Sequence, residues 1–217
     1  TNAGDTMTIG FGSVKTKDIG LGSRASLSAS AVTTTALTTG DLLINGVEVG
    51  ASLATDDKVS SASNSGSAIA KAAAINRVSD LTGVKATVGA TTAYGAAMTA
   101  AATSGTITIN GVTTATVYTT TDTEISRSAI ATAINQIASQ TGVKAVNTHD
   151  DKQGIVLVAE DGRNIDIGAL SGLTAAATGL DATSAKTTVG TYSLNTNDGS
   201  SITISSKVGG ALDSSGL

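Results

Sequence analysis

Cysteine, proline and tryptophan are all absent from this 217-residue chain. Without cysteine there are no disulfides and no thiolate metal sites. Without proline, no X-Pro bond can slow folding by isomerisation. Both absences suit a protein that must refold after export. Other aromatics are scarce, with one Phe and three Tyr. The apolar 40% is therefore mainly Ala, Val, Ile and Leu. A core of small and β-branched side chains follows, in thin layers. Charge is sparse as well, at 14%, and Ser, Thr, Gly and Asn cover the surface. A net charge of −4 argues against nucleic acid, whose phosphates need a basic patch. No Lys/Arg run marks an anionic membrane. No apolar run reaches the roughly 18–20 residues of a membrane span, and no basic-plus-apolar signal segment is present.

What is present is a repeated unit. Ile44-Asn45-Gly46-Val47 returns as Ile109-Asn110-Gly111-Val112. Ala74-Ile75-Asn76 returns as Ala133-Ile134-Asn135, and Thr82-Gly83-Val84-Lys85-Ala86 as Thr141-Gly142-Val143-Lys144-Ala145. Asn-Gly is the favoured pair of a two-residue type I′ turn, because both positions need positive φ. Each pair therefore predicts a hairpin. Ile44 faces Val47 and Leu42 faces Val49, with Leu43 and Glu48 on the other side. In the second copy Ile109 faces Val112, Ile107 faces Thr114, and Thr108 faces Thr113. Each hairpin has one apolar face that needs a cover.

A helix supplies it. Ile130, Ile134, Ile137 and Thr141 form one stripe, with Ser126 or Ser128 as the start signal and Gly142 as the stop. The first copy stops at Gly83, with Ile75 and Val78 matching Ile134 and Ile137. Lys71 then falls where Ile130 stands, and Ile69 lies about 120° off the stripe. Counted from Ser67 to Ala86, the first copy is two residues longer than the second from Ser128 to Ala145. Either Ala68 and Ala72 make the contact instead, or the helix begins with an irregular turn. Strands follow at Val84–Val88 and Val143–Asn147.

Further hairpins are expected at 155–167, turning at Glu160-Asp161-Gly162, and at 191–204, around Asn197-Asp198-Gly199. Residues 5–11 alternate like a strand. Residues 23–39, 89–104 and 168–190 read as loops, and 205–217 as a mobile tail. The fold class is α+β and β-dominated, with two hairpin–helix–strand modules and additional hairpins. One domain comprises 1–100 plus 181–217 and holds the first repeat. The other comprises 101–180 and holds the second.

No catalytic, cofactor-binding or metal site can be assigned. His149 beside Asp150 and Asp151 lacks a second His, Cys or convergent carboxylate, so a solvated turn is expected. No Ser/His/Asp set, no paired carboxylates in an apolar setting and no phosphate loop occur. The Asn195–Gly199 stretch lacks the ligand spacing of a calcium loop. No cofactor is implied.

The combination resembles the hook "IN" motif of bacterial flagellins and of filament-cap and hook-associated proteins. The resemblance covers residues 40–88 and 105–147. It is most similar to flagellin at Ser-Ala-Ile-Ala-Lys-Ala-Ala-Ala-Ile-Asn (67–76), Ser-Gly-Thr-Ile-Thr-Ile-Asn-Gly-Val (104–112), Asp-Gly-Arg-Asn-Ile (161–165) and the opening stretch 2–14. It implies the central, surface-exposed part of a flagellin. In the family, the flanking helices that this sequence lacks polymerise into the filament core. It also implies export through the flagellar apparatus without a cleavable signal, and an extracellular filament as the destination. The implied partners are other flagellin subunits, through those flanking helices, with host surfaces or glycans as secondary partners and no nucleic acid or membrane. An isolated portion is expected to be monomeric. Two alternatives share the motif or the setting: a filament-cap or hook-associated protein, told apart by closed-ring assembly, and a glycan-binding adhesin module, which an aromatic platform would favour. An enzyme has no motif behind it. Because the chain would leave and rejoin a core, residues 1–38 and 187–217 are expected to run side by side.

Overall fold

The computed structural model describes residues 25–29, 32–182, 186–196, 198–208 and 211–217. The fold is mixed α/β, with several antiparallel sheets and five α-helices among the described residues. In chain order the first half holds β1 (Ser26–Ser28), β2 (Leu43–Ile44), β3 (Val47–Glu48), α1 (Ala68–Asn76), α2 (Ser79–Thr82), β4 (Val84–Val88) and β5 (Thr91–Ala93). It continues with β6 (Ser104–Ile109), β7 (Val112–Thr113), β8 (Val117–Tyr118), α3 (Thr123–Gln136), α4 (Ala138–Thr141) and β9 (Lys144–Asn147). Then come β10 (Ile155–Ala159), β11 (Ile165–Ser171), α5 (Ala175–Thr178), β12 (Lys186–Thr188), β13 (Tyr192–Thr196) and β14 (Ile204–Ser205). The strand expected at 5–11 lies outside the described residues.

Both Asn-Gly turns have the backbone their sequence demands. Asn45 and Gly46 have φ of 50° and 80°, and Asn110 and Gly111 have 48° and 80°. The registers Ile44↔Val47 and Leu43↔Glu48, and Ile109↔Val112 and Thr108↔Thr113, follow from them. Leu42, Ile44, Ile107 and Ile109 are fully buried.

The buried side chains form two clusters. One runs from Ala93 to Ala182 and includes Ile107, Ile109, Ile130, Ile134 and Leu157. The other joins Ala29 to Ala86 with Tyr192 and Leu194. β1 pairs antiparallel with β13, and β13 with β4, so residues near the two ends of the described chain share one sheet. The expected pairing of Thr6–Phe11 itself lies outside the described residues.

Several expectations are corrected. Neither Ser126 nor Ser128 caps α3; Asp122 does, its side chain accepting from Ile125 N, while Ser126 donates back to Asp122 O at 2.7 Å. An extra helical turn therefore precedes Ser126. The helices do not run unbroken to their glycines. Val78 (φ −112°, ψ 13°) and Ile137 (φ −100°, ψ 6°) each interrupt them before a short second helix, which ends at Gly83 or Gly142 in left-handed conformation. Residues 155–167 are not a hairpin. β10 pairs with β5 and β9, whereas β11 pairs with β6 and β12, so the turn carries the chain from one sheet to another. Likewise β13 and β14 belong to different sheets, β14 pairing with β2. The Ala/Thr-rich segments read as loops contain β1, β5, the end of β11, α5 and β12. Their small side chains blur the periodicity by which such elements are recognised. The last residues of the tail are packed: Ser215 is fully buried, Tyr192 donates to Ser215 O at 2.7 Å, and Leu212 and Leu217 lie against the second cluster.

The length mismatch between the helices is resolved as well. Aligned on Asn76 and Asn135, the buried positions coincide at Ala68/Arg127, Lys71/Ile130, Ala72/Ala131, Ala74/Ala133 and Ile75/Ile134. The counterpart of Ser67 is Ser126, and α3 simply begins earlier. Ala68 and Ala72 do contact the core, after a 3-10 turn at Asn64–Gly66. Lys71 sits in the stripe, fully buried.

Candidate functional site

The repeated asparagines form the most organised polar feature. Asn76 Oδ1 accepts from Ala86 N at 2.8 Å, and its Nδ2 donates to Ala86 O at 3.0 Å. Asn135 does the same to Ala145, at 2.8 and 2.9 Å. Each thus completes the open backbone pair of one residue in the following strand. The turn asparagines are bridges. Asn45 Nδ2 donates to Thr82 O at 2.9 Å and its Oδ1 accepts from Thr203 N at 2.9 Å. Asn110 Nδ2 donates to Thr141 O at 2.9 Å and its Oδ1 accepts from Asp166 N at 2.8 Å. Turn, helix end and neighbouring chain are tied together in the same way twice. Sequence patterning shows Asn45 and Asn110 only as turn residues. Their unused side-chain amides, repeated with the Thr-Gly stop, were the available signal for this second role.

The ionisable groups fall into separate clusters. Arg127, 3% exposed, donates to Glu124 Oε2 at 2.7 Å, to Asn147 Oδ1 at 3.2 Å and to Asp151. The hydrogen bond from Arg127 holds both the Glu124 and the Asp151 carboxyl below their ordinary values. His149 is exposed, has φ of 56°, and lies 2.8 Å from Glu124 Oε1 through Nδ1. It caps this surface network, as a turn residue would, and no group of three His, Asp or Glu among the described residues is placed to hold a metal ion. Asp150 folds its carboxylate back on Lys152 N and Gln153. Asp198 likewise accepts from Ser200 N within its own turn.

Lys71 Nζ donates to Thr33 O at 2.7 Å, and burial pulls its pKa down to about 8. Tyr192 is pushed up by burial. Asn164 is fully buried, its N donating to Ser60 Oγ at 2.8 Å and its Nδ2 to Ala62 O at 2.9 Å. Asp57 folds the same loop over, Oδ1 accepting from Val59 N and Ser60 N, both at 3.0 Å. Burial pushes the Asp57 carboxyl up, but hydrogen bonds from Ser60, Ser67 and the backbone outweigh it and hold the group below its ordinary value.

Two grooves remain. One of about 730 Å³ lies between β8 and α3, beside Tyr118. Another of about 570 Å³ lies beside Tyr94 and includes Val32, Thr34, Ile167, Asp181 and Lys186. Asp181 and Lys186 are paired with each other there. In comparisons with known proteins, no family model and no curated protein matches the chain.

Proposed function

We propose that this chain is the outer, surface-exposed part of a flagellin, the structural subunit of the bacterial flagellar filament. The single observation that carries the reading is the twofold motif itself, Ile-Asn-Gly-Val, Ala-Ile-Asn and Thr-Gly-Val-Lys-Ala. In each copy its asparagines make the same hydrogen bonds between turn, helix end and strand. Residues of such a motif serve architecture and not turnover, and the protein works as two hairpin–helix–strand modules without enzymatic activity. The two hydrophobic clusters support a core-proximal domain containing the first motif and a core-distal domain containing the second. The antiparallel pairing of β1 with β13 supports a chain that leaves and rejoins a common base. No helix among the described residues is long and apolar enough to cross a membrane. The subunit is exported through the flagellar apparatus and acts outside the cell, held to its neighbours by flanking helices.

Antibodies raised against the purified chain test this by immuno-electron microscopy on cells that produce it. Labelling along the whole filament is the expected result. Labelling at the filament tip or hook junction alone would assign the chain to a cap or hook-associated protein. Labelling of the cell body with bare filaments would sink the reading.

A further inference from the structure

Tyrosine is used unevenly in this aromatic-poor chain. Tyr192 is buried and its hydroxyl is satisfied. Tyr118 is 71% exposed and Tyr94 75%, and each borders a groove. Leaving large rings in water forgoes their burial energy. The groove at Tyr118 has the fuller set of ligand-binding features. Its volume of about 730 Å³ falls within the roughly 300–1,000 Å³ of small-molecule sites.

The groove is built by a second face of α3, opposite the Ile130/Ile134 stripe. Ile125, Ser128, Ala129, Thr132, Ala133 and Gln136 all lie along it. Val117, Ala129 and Ala133 give an apolar floor. The side chains of Thr116, Ser128, Gln136 and Tyr118 make no hydrogen bond to any described residue, so their donors and acceptors are open to a ligand. The one acidic group, Glu124, is already spent: Oε1 accepts from Asn147 and faces His149, both at 2.8 Å, and Oε2 accepts from Arg127.

We propose that this groove binds a neutral saccharide chain, with Tyr118 as the stacking platform. A sugar ring presents a C–H face to an aromatic ring and a rim of hydroxyls that both donate and accept. Hydroxyls and a carboxamide answer that rim, since they too donate and accept. A purely apolar ligand would strand these polar groups on burial. A charged ligand finds no free countercharge. An extended peptide would need a run of open backbone, and β8 offers only Val117 and Tyr118.

The test is an NMR titration of the 217-residue chain with maltotriose, cellotriose and chitotriose, and with a blocked Thr-Val-Thr-Val peptide as the strand-forming control. At least one sugar is expected to shift amide signals confined to residues 115–136, with an affinity insensitive to salt. Tyr118→Ala should weaken it by about tenfold or more. Tyr118→Phe should keep most of it, since the ring and not the hydroxyl carries the stacking, and Tyr94→Ala should leave it unchanged. All three are surface changes, and an unaltered melting temperature verifies that the variants are folded. The proposal is overturned if no sugar binds, if binding survives Tyr118→Ala, if the shifts centre on Tyr94, or if only the peptide binds. It stands or falls apart from the filament reading, which the antibody labelling tests.

Discussion

Helices α1 and α3 bury matching positions and fill them with different chemistry. At the first shared position α1 has Ala68 and α3 has Arg127; one turn later α1 has Lys71 and α3 has Ile130. Each copy therefore buries a cation, one turn apart. Arg127 is compensated by Glu124 and Asp151 at the edge of its cluster. Lys71 has the Thr33 carbonyl and no ion pair among the described residues. The ends of both helices are nonetheless the same, with the interruption at Val78 and Ile137 and the left-handed glycine. The asparagine bridges, and not identical core packing, are what the copies share.

The sharpest way to break the comparison is to give the second copy the first copy's lysine. Ile130→Lys places a charge in a fully buried site, one turn from Arg127. A loss of about 3 kcal/mol or more is expected. Urea denaturation measures it. A loss below about 1 kcal/mol would mean that the two stripes are interchangeable after all.

Next in size are the strand clamps. Asn76→Ala and Asn135→Ala each leave an N–H and a C=O of one strand residue without their side-chain partner, costing about 2 kcal/mol. Asn135 is the more exposed, so water replaces its bonds more easily and its loss should be the smaller. Faster hydrogen exchange at Ala86 or Ala145 should accompany each. Unchanged exchange there would show that the clamps are ornaments of a strand already held by β13 or β10.

How much of this was legible in the chain divides by range. The type I′ turns, their registers and the glycine stops follow from local backbone demands, which Asn-Gly and Thr-Gly state outright. The partners of β10, β13 and β14 were not legible. A turn such as Glu160-Asp161-Gly162 looks the same whether its strands pair together or diverge into two sheets, and only distant residues decide. Segments rich in Ala and Thr hid β5, α5 and β12 because side chains so small give little contrast between faces. At Lys71 the apolar match to Ile130 breaks in the sequence, yet the lysine occupies the same buried position of the stripe. The helix phase is set by its whole stripe, and one lysine was not enough to turn it. For the candidate groove, Tyr118 was available as an aromatic, but its exposure beside α3 depends on β8 pairing with β6.

The glycine stops allow a finer comparison. Gly83 and Gly142 share a left-handed conformation, with φ of 68° and 71°. A Cβ at Gly83 would meet nothing within 4 Å, whereas one at Gly142 would lie 2.2 Å from Arg163 Cζ. Arg163 also donates to Thr141 O at 3.1 Å. Gly83→Ala should therefore cost only the backbone strain, about 1 kcal/mol. Gly142→Ala adds displacement of the guanidinium and loss of its bond, for about 2 kcal/mol in all. In an Arg163→Ala background the two costs should converge. A persistent gap there would place the difference in the backbone.

Lys71 offers the smallest effect and the one with a pH signature. Lowering its pKa from 10.5 to about 8 corresponds to about 3 kcal/mol of native-state penalty on the charged form at neutral pH. Lys71→Met removes that penalty but leaves the Thr33 carbonyl without its donor, a cost of about 1–3 kcal/mol. The balance should leave the variant about 1 kcal/mol more stable at neutral pH. The sign with pH follows from proton counting. Between about 8 and 10.5 the unfolded chain still holds the lysine proton while the folded chain has released it, so stability rises with pH. Denaturation of the parent chain should show this rise across that window, and Lys71→Met should lack it, so the gap between them closes and then reverses. A variant that is less stable at neutral pH, with no change in slope, would show that the bond to Thr33 outweighs the burial of the charge.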